Sequence, residues 1–288
     1  MKIYINGQFF SKDEAKISVF DHGLLYGDGV FEGIRVYQNR IFKLKEHMDR
    51  LYESAQAILL TLPMSKNELM EATIESVRQN LHEDAYIRLI VTRGVGSLGL
   101  DPNKCSHPQV IIIVDEITLY SRDTYRDGME IITVATRRNL PEAVNPRIKS
   151  LNYLNNILAK IEAINAGYQE AIMLNQQGFV SECTGDNIFI VRNGELITPS
   201  LENGILDGIT RRTAMDLARA RKMNVKELTL SRHDIYTSDE CFLTGTAAAI
   251  VPVVKVDGRV IGSGKPGKWT MELSREYHEL TFCEGVPV

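Results

Sequence analysis

The chain has 288 residues, 44% hydrophobic and 24% charged, with a formal net charge of −4. That length allows one large domain or two of ordinary size, and the composition is that of a globular protein. The near balance of charge offers no field for nucleic acid or an anionic membrane, and no segment approaches the ~20 apolar residues of a membrane-spanning helix. The four cysteines (Cys105, Cys183, Cys241, Cys283) are too scattered for a zinc knuckle or a disulfide framework. MKIYINGQFF has no apolar run behind its charge, so it is not a signal peptide, and a cytoplasmic protein is expected.

In chain order, KIYING-QFF reads as a hairpin around an Asn-Gly turn. GVFEGIRVYQNRIFKL follows as two strands with a short polar turn, and KEHMDRLYESAQAILL as an amphipathic helix. SKNE places Ser65 and Glu68 three apart, a capping box that starts a second helix. AYIRLIVTRG alternates as a strand, and the apolar run QVIIIVDE fits a buried one. TLYSRDTYRD, residues 118–127, is polar and aperiodic and is read as the connection between two lobes.

The second half opens on a strand, MEIITVAT, followed by NPRIKSLNYLNNILAK. QEAIMLNQQGFVSE and NIFIVRNGELITP read as hairpins, TAMDLARARKM as a helix, and ECFLTGTAAAIVPVVKVDGRVI as further strands with an Asp-Gly turn. KWTMELSREYHELTF is a closing helix. Strands and helices mix without steady β-α-β alternation, which gives an α+β fold.

Lys149 is oddly placed. It stands ahead of Leu151, Leu154, Ile157, Leu158, Ile161 and Ile164, apolar residues at helical spacing. It is therefore expected at or just before a helix N-terminus, where the macrodipole disfavours a cation and Arg147 adds repulsion. An ordinary lysine would point into water. One pushed towards its neutral amine can attack a carbonyl and form a Schiff base.

Gly208, Ile209 and Thr210 lie at another helix entry, where free N–H groups and the dipole make an anion site, although Thr210 alone reads as a cap. TGTAAAI, residues 244–250, has the small residues of a loop near a ligand. Glu182 in SECTGDNIF falls between two apolar strands, either at an exposed turn or buried with a partner. Two glycine patterns are decoys. In GDGVFEG the third glycine comes one residue late and leads into a strand; in GSGKPGKW, Trp269 replaces the Mg²⁺-binding hydroxyl of a P-loop and Pro266 removes an N–H. The six histidines show no metal-binding spacing. One cofactor unites the remaining candidates. Pyridoxal phosphate needs a lysine for its aldehyde, an acid facing its ring nitrogen, an anion cup and a hydroxyl for its phenolic oxygen. Lys149, Glu182, the Gly208–Thr210 helix start and Tyr153 can supply all four.

Taken with these residues, the sequence resembles the fold-type IV pyridoxal-phosphate enzymes, and within them the branched-chain amino acid aminotransferases. The likeness covers nearly the whole chain, through FDHGLLYGDGVFEGIR, EHMDRL, AYIRLIVTRGVG, KSLNYLNNILAK, GFVSECTGDNIF, GITR and GTAA in order. The resemblance implies that Lys149 is the Schiff-base lysine and shuttles the substrate α-proton. It implies that Tyr153 bonds the phenolic oxygen and Glu182 the pyridine nitrogen, while Arg50, Ile209, Thr210 and Thr246 hold the phosphate. The backbone N–H groups of Thr246 and Ala247 would receive the substrate carboxylate, and Tyr26, Phe31, Tyr86 and Arg88 would shape the substrate pocket.

The implied architecture is a small α/β N-terminal domain at 1–120, an interdomain loop at 121–125 and a larger pseudo-barrel domain at 126–288. The cofactor would lie between the domains of at least a homodimer. The implied reaction is ping-pong transfer of the amino group of leucine, isoleucine or valine to 2-oxoglutarate, giving 2-oxo acids and L-glutamate. An apolar pocket separates such side chains by only ~1–3 kcal/mol per methylene, so all three are expected substrates. Alternatives are a D-amino acid or (R)-amine transaminase, an aminodeoxychorismate lyase and a non-catalytic carrier of the cofactor. Relatives acting on D-amino acids tend to replace Arg88 and to carry a basic stretch after TRG, where this chain has VGSLGLDP. Ala249, Cys183, Asp207 and Arg212 depart from the usual pattern; Ala249 and Asp207 flank the proposed anion cups.

Overall fold

Asn6 and Gly7 have φ of 49° and 92°, the left-handed pair that a two-residue hairpin turn requires, and they join β1 (Lys2–Ile5) to β2 (Gln8–Ser11). Asn193-Gly194 and Asp257-Gly258 have positive φ in the same way at two later hairpins. The structure, a computed structural model, describes residues 1–288. It divides into two compact units: Met1–Ile117 with Ile148–Asn152 and Thr281–Val288, and Thr118–Arg147 with Tyr153–Leu280.

The first unit continues with α1 (His22–Tyr26), β3 (Gly29–Tyr37), β4 (Arg40–Ile41), α2 (Leu44–Ala57), α3 (Lys66–Arg78), β5 (Ala85–Thr92) and β6 (Gln109–Asp115). Its antiparallel sheet runs Val286–Pro287, β4, β3, β5, β6, β1, β2. The register Val30↔Val91, Glu32↔Leu89, Ile34↔Ile87 and Val36↔Ala85 puts these residues on one face, where their apolar members join the core with Leu44, Met48 and Leu51 of α2. Phe31, Gly33, Tyr86, Arg88 and Ile90 fall on the opposite face, because side chains alternate across a strand. The Ser65–Glu68 capping box starts α3 as expected, with both reciprocal hydrogen bonds formed.

The second unit contains α4 (Arg122–Asp127), β7 (Met129–Thr133), α5 (Leu154–Asn165), β8 (Ala171–Leu174), β9 (Val180–Cys183), β10 (Asn187–Arg192), β11 (Glu195–Pro199), α6 (Ile209–Ala220), β12 (Val225–Leu228), α7 (Arg232–Tyr236), β13 (Glu240–Gly245), β14 (Ala249–Val256), β15 (Arg259–Val260) and, up to Leu280, α8 (Lys268–Cys283). The order β12-β11-β10-β13-β14-β7-β8-β9, with β15 beside β14, is mixed. β11–β12, β14–β7 and β7–β8 are parallel, and the other pairs are antiparallel. β9 at the end of this order runs directly into β10, so the sheet curls into a pseudo-barrel around Ile131, Ile172, Val180, Ile188, Leu243 and Val251. No helix is long and apolar enough to cross a membrane.

Three features depart from the reading of the sequence. Residues 121–125 are not a loop: Ser121 caps α4, accepting from Thr124 N–H at 3.3 Å, and the segment belongs to the second unit. The helix is short and buries only Thr124, so it leaves no apolar period to read. The first unit also takes back Ile148–Asn152 and Thr281–Val288 from the second half of the chain. Finally, α5 buries Asn156, Ala159 and Ala163, while Leu154, Ile157, Leu158, Ile161 and Ile164 are exposed. Ala159 and Ala163, one turn apart, let the helix settle against Ala171 and Met173 of β8.

A remote carboxylate caps α8. Glu240 on β13 accepts from Trp269 N–H, Thr270 N–H and Thr270 Oγ1 at 3.0, 2.8 and 2.7 Å. Glu240→Ala should cost ~1–2 kcal/mol, a typical lost-cap penalty, read as a lower urea midpoint at unchanged slope. An unchanged midpoint would show that the helix start does not depend on Glu240.

Candidate active site

The face of β3 turned to α2 carries a carboxylate, Glu32, with no exposed surface. An isolated charge there would be prohibitive, and α2 answers it with two groups on one side, three residues apart. Arg50 donates through Nε and Nη2 to the two Glu32 oxygens at 2.7 and 2.8 Å, and His47 Nδ1 lies 2.7 Å from Oε2. Burial opposes ionisation of Glu32, but Arg50 and His47 outweigh it and hold the carboxyl well below the usual range. Burial lowers the proton affinity of His47 despite the pull of Glu32. The ring is therefore neutral near pH 7 and donates its Nδ1 proton to a carboxylate that can only accept.

Lys149 lies in the strip Ile148–Asn152, which pairs along β3. Phe31 N–H donates to Lys149 O and Leu151 N–H to Gly29 O, each at 2.9 Å, and Lys149 N–H donates to Ser54 Oγ of α2 at 3.1 Å. Its backbone is thus held on both sides. The half-buried side chain places Nζ 4.6 Å from the centre of the Phe31 ring. Arg88 Cζ lies 4.7 Å from the same centre and 5.4 Å from that of Tyr86. Phe31, Tyr86, Arg88 and Lys149 thus form one cationic aromatic group. Tyr26 is 40% exposed, and its Oη accepts from Gly99 N–H at 3.0 Å.

The helix-dipole explanation of Lys149 does not survive. Tyr153 is the N-cap of α5, so Lys149 precedes the first helical residue, Leu154, by more than a turn, beyond the range of the terminal field. The strand pairing and the Phe31 ring define its surroundings instead.

In the second unit, Glu182 on β9 is buried, which decides between the two readings of that residue. Its Oε1 accepts from Arg138 Nε at 2.8 Å; Oε2 accepts from Leu206 N–H at 2.9 Å and Asn187 Nδ2 at 3.2 Å. Arg138 is steadied by Asn155 and Asn156 of α5, whose Oδ1 atoms lie 3.2 and 3.3 Å from Nη1. Three of the roughly four acceptor directions of the carboxylate are filled, leaving one for a ligand N–H. Half-buried Tyr153 stands at the start of the same helix as these asparagines.

Two further segments of this unit carry the candidate anion-binding residues. Gly208, not Thr210, is the N-cap of α6, and no side chain caps the helix, so the N–H groups of buried Ile209 and Thr210 face forward. Asp207, just before it, lies 3.6 Å from Arg211 Nη1 and 3.5 Å from Arg212 Nη1, so its charge is answered by two guanidinium groups. The turn after β13 carries Thr246 and Ala247, both half-buried. Beneath it the Thr244 hydroxyl is buried without a hydrogen-bond partner. Ala249 closes the turn at φ 58°.

The sequence reading overlooked Glu32, His47, Ser54, Arg138 and Asn187. A signal existed for the first two: a carboxylate on the apolar face of a strand, and a histidine and an arginine at helical spacing in the helix after it. Arg138 and Glu182 lie 44 positions apart, with no local pattern to link them.

The family model for amino-transferase class IV matches residues 29–256. A Methanocaldococcus jannaschii protein named putative branched-chain-amino-acid aminotransferase is 51% identical over 288 residues, covering 100% of this chain and 99% of that protein. The solved Escherichia coli branched-chain amino acid aminotransferase has a TM-score of 0.95 at 36% identity, over 97% of this chain and 94% of that one. The branched-chain amino acid aminotransferase from Thermobaculum terrenum, solved in its PLP-form, has a TM-score of 0.89 at 33% identity, over 98% of this chain and 94% of that one.

The Glu32 cluster gives a prediction with a defined sign. The folded state depresses the Glu32 pKa, so its contribution is present above the unfolded carboxylate pKa, near pH ~4, and is lost as pH falls towards the folded value. Glu32→Gln should cost ~3 kcal/mol at neutral pH, by leaving Arg50 under-paired, and the difference from wild type should shrink below pH ~4. Denaturant unfolding across acid pH reads both effects; a difference independent of pH would contradict the assignment.

Proposed function

The chain belongs to the amino-transferase class IV family, and from that premise we propose that it moves the α-amino group of L-leucine, L-isoleucine or L-valine to 2-oxoglutarate, using pyridoxal 5'-phosphate. The observation that carries the reading is Lys149, an amine on a backbone held by β3 and α2 and set against the Phe31 ring. The residues fit the cofactor. Glu182 keeps one acceptor direction for a ring N–H, the start of α6 is uncapped, and the Thr244 hydroxyl is unpartnered.

When bound, pyridoxal phosphate supplies an aldehyde for the amino group and a ring that takes up the electron pair left when the α-carbon loses its proton. Lys149 Nζ would take up that α-proton as general base and give it back as general acid. Arg138 and Asn187 orient the Glu182 carboxylate, which would hold a proton on the pyridine nitrogen of the bound cofactor. The Tyr153 hydroxyl bonds the phenolic oxygen. The Ile209 and Thr210 N–H groups receive the phosphate with Thr246 and Arg50, although Arg50 Nε and Nη2 are engaged by Glu32. The Thr246 and Ala247 N–H groups hold the substrate carboxylate. Phe31, Tyr86 and Tyr26 border the substrate side chain, and Arg88 is the cation available to the second carboxylate of 2-oxoglutarate.

We also propose a cytoplasmic homo-oligomer, at least a dimer. The exposed apolar residues Leu98 and Leu100 in the first unit and the outer stripe of α5 in the second support self-association. Four unpaired cysteines suit a reducing compartment.

Initial rates with L-leucine and 2-oxoglutarate, beside D-leucine and D-alanine, test the reading, which expects turnover of the L-enantiomer. Lys149→Ala should lower that rate about 10³-fold or more with unfolding unchanged, since proton transfer is removed and the core is not. Unchanged turnover in that variant would sink the assignment, and pyruvate release from a chorismate-derived substrate without an amino acceptor would indicate a lyase.

A further inference from the structure

Asp186 is a buried carboxyl that no step above uses. It ends the bend between β9 and β10, 6% exposed. Asn187, its neighbour, pairs opposite Thr244, and this register sets the Asp186 carboxyl directly against Gly245. No side chain has space at position 245: a Cβ there would overlap Asp186 Oδ1 and lie 3.2 Å from its Cγ. Gly245 opens the turn that carries Thr246 and Ala247.

Two tyrosines at α4 brace this arrangement. Tyr120 Oη donates to Asp186 Oδ2 at 3.2 Å, and Tyr125 Oη donates to the Ala248 carbonyl at 3.0 Å; their rings meet edge to face, 6.4 Å apart. The other groups facing Asp186 are Glu170 before β8, Glu182 and Cys183 on β9, and Lys160 on α5. Lys160 is nearer to Glu170, at 3.4 Å from its Oε2. Glu170 in turn accepts from Ala171 and Thr184 N–H, so it remains a fixed acceptor in the same pocket of charge.

We propose that Asp186 is a proton-linked positioning residue for the Gly245–Ala248 turn, admitting a carboxylate ligand when neutral and repelling it when ionised. This rests on the reading of that turn as the seat of the substrate carboxylate. Burial first, and the charge of Glu170 second, push the Asp186 carboxyl up to about 7, while the Tyr120 hydrogen bond and Lys160 oppose them. The group therefore changes charge where the enzyme is expected to work. A second negative charge in a poorly solvated pocket is unfavourable, so binding above neutral pH draws a proton from solvent onto Asp186. If the ligand raises the Asp186 pKa by one unit, affinity falls about tenfold once the free enzyme is ionised.

The test is calorimetric titration of the pyridoxal-phosphate-loaded enzyme with 4-methyl-2-oxopentanoate, in buffers of different ionisation enthalpy, on both sides of neutrality. Wild type should lose about tenfold in affinity towards alkaline pH and take up a proton around neutrality. Asp186→Asn should bind with pH-independent affinity and no such uptake. Tyr120→Phe removes a bond that lowers the Asp186 pKa, so it should move the wild-type transition to higher pH, which a purely structural brace would not do. The Tyr120 variant decides the matter alone if Asp186→Asn does not fold. The same pH dependence in all three proteins, or no binding of the 2-oxo acid by wild type, overturns the inference. L-leucine turnover by wild type, measured alongside, shows separately whether the proposed function stands.

Discussion

Two backbone hydrogen bonds, from Phe31 N–H to Lys149 O and from Leu151 N–H to Gly29 O, fix the position of the proposed base. A flexible lysine is a poor proton carrier, because each excursion of its four-carbon stem loses the geometry that proton transfer needs. Strand pairing removes the backbone part of that freedom, and the Phe31 ring confines the rest. The chain then leaves the strip at Asn152 and enters α5 through Tyr153, so the proposed base and the proposed phenol-binding hydroxyl are tied by a few covalent links.

Buried carboxylates are the second constraint, and the fold treats them in two ways. Glu32 and Glu182 each meet an arginine and further donors, and for Glu32 these hold the carboxyl well below the usual range despite its burial. For Glu182 the pairing leaves a defined acceptor direction, which is what a protonated ring nitrogen requires. Asp186 has a tyrosine hydroxyl in place of a cation and has Glu170 nearby, so its charge is conditional. The same physical cost is thus met by an arginine at two carboxylates and by a tyrosine hydroxyl at the third.

What the sequence revealed follows the range of the interactions. Hairpins at Asn6-Gly7, Asn193-Gly194 and Asp257-Gly258, and the Ser65–Glu68 box, are set by neighbouring residues and were legible. Lys149, Glu182 and the Gly208–Thr210 start stand out in the sequence by their chemistry and remain the proposed cofactor set, but the helix dipole is not the reason for the placement of Lys149. Arg138 beside Glu182, the return of Ile148–Asn152 to the first unit, and the exposed stripe of α5 depend on distant segments, which no local period records. Residues 121–127 hid a helix because its capping residue was legible only once the chain was folded.

The most direct measurement is the visible absorption spectrum of the purified protein incubated with pyridoxal phosphate, before and after addition of L-leucine, with D-alanine in a parallel sample. The account expects a visible band that depends on Lys149 and is bleached by L-leucine but not by D-alanine. Absence of the band would contradict the role given to Lys149, and bleaching by D-alanine alone would contradict the substrate assignment.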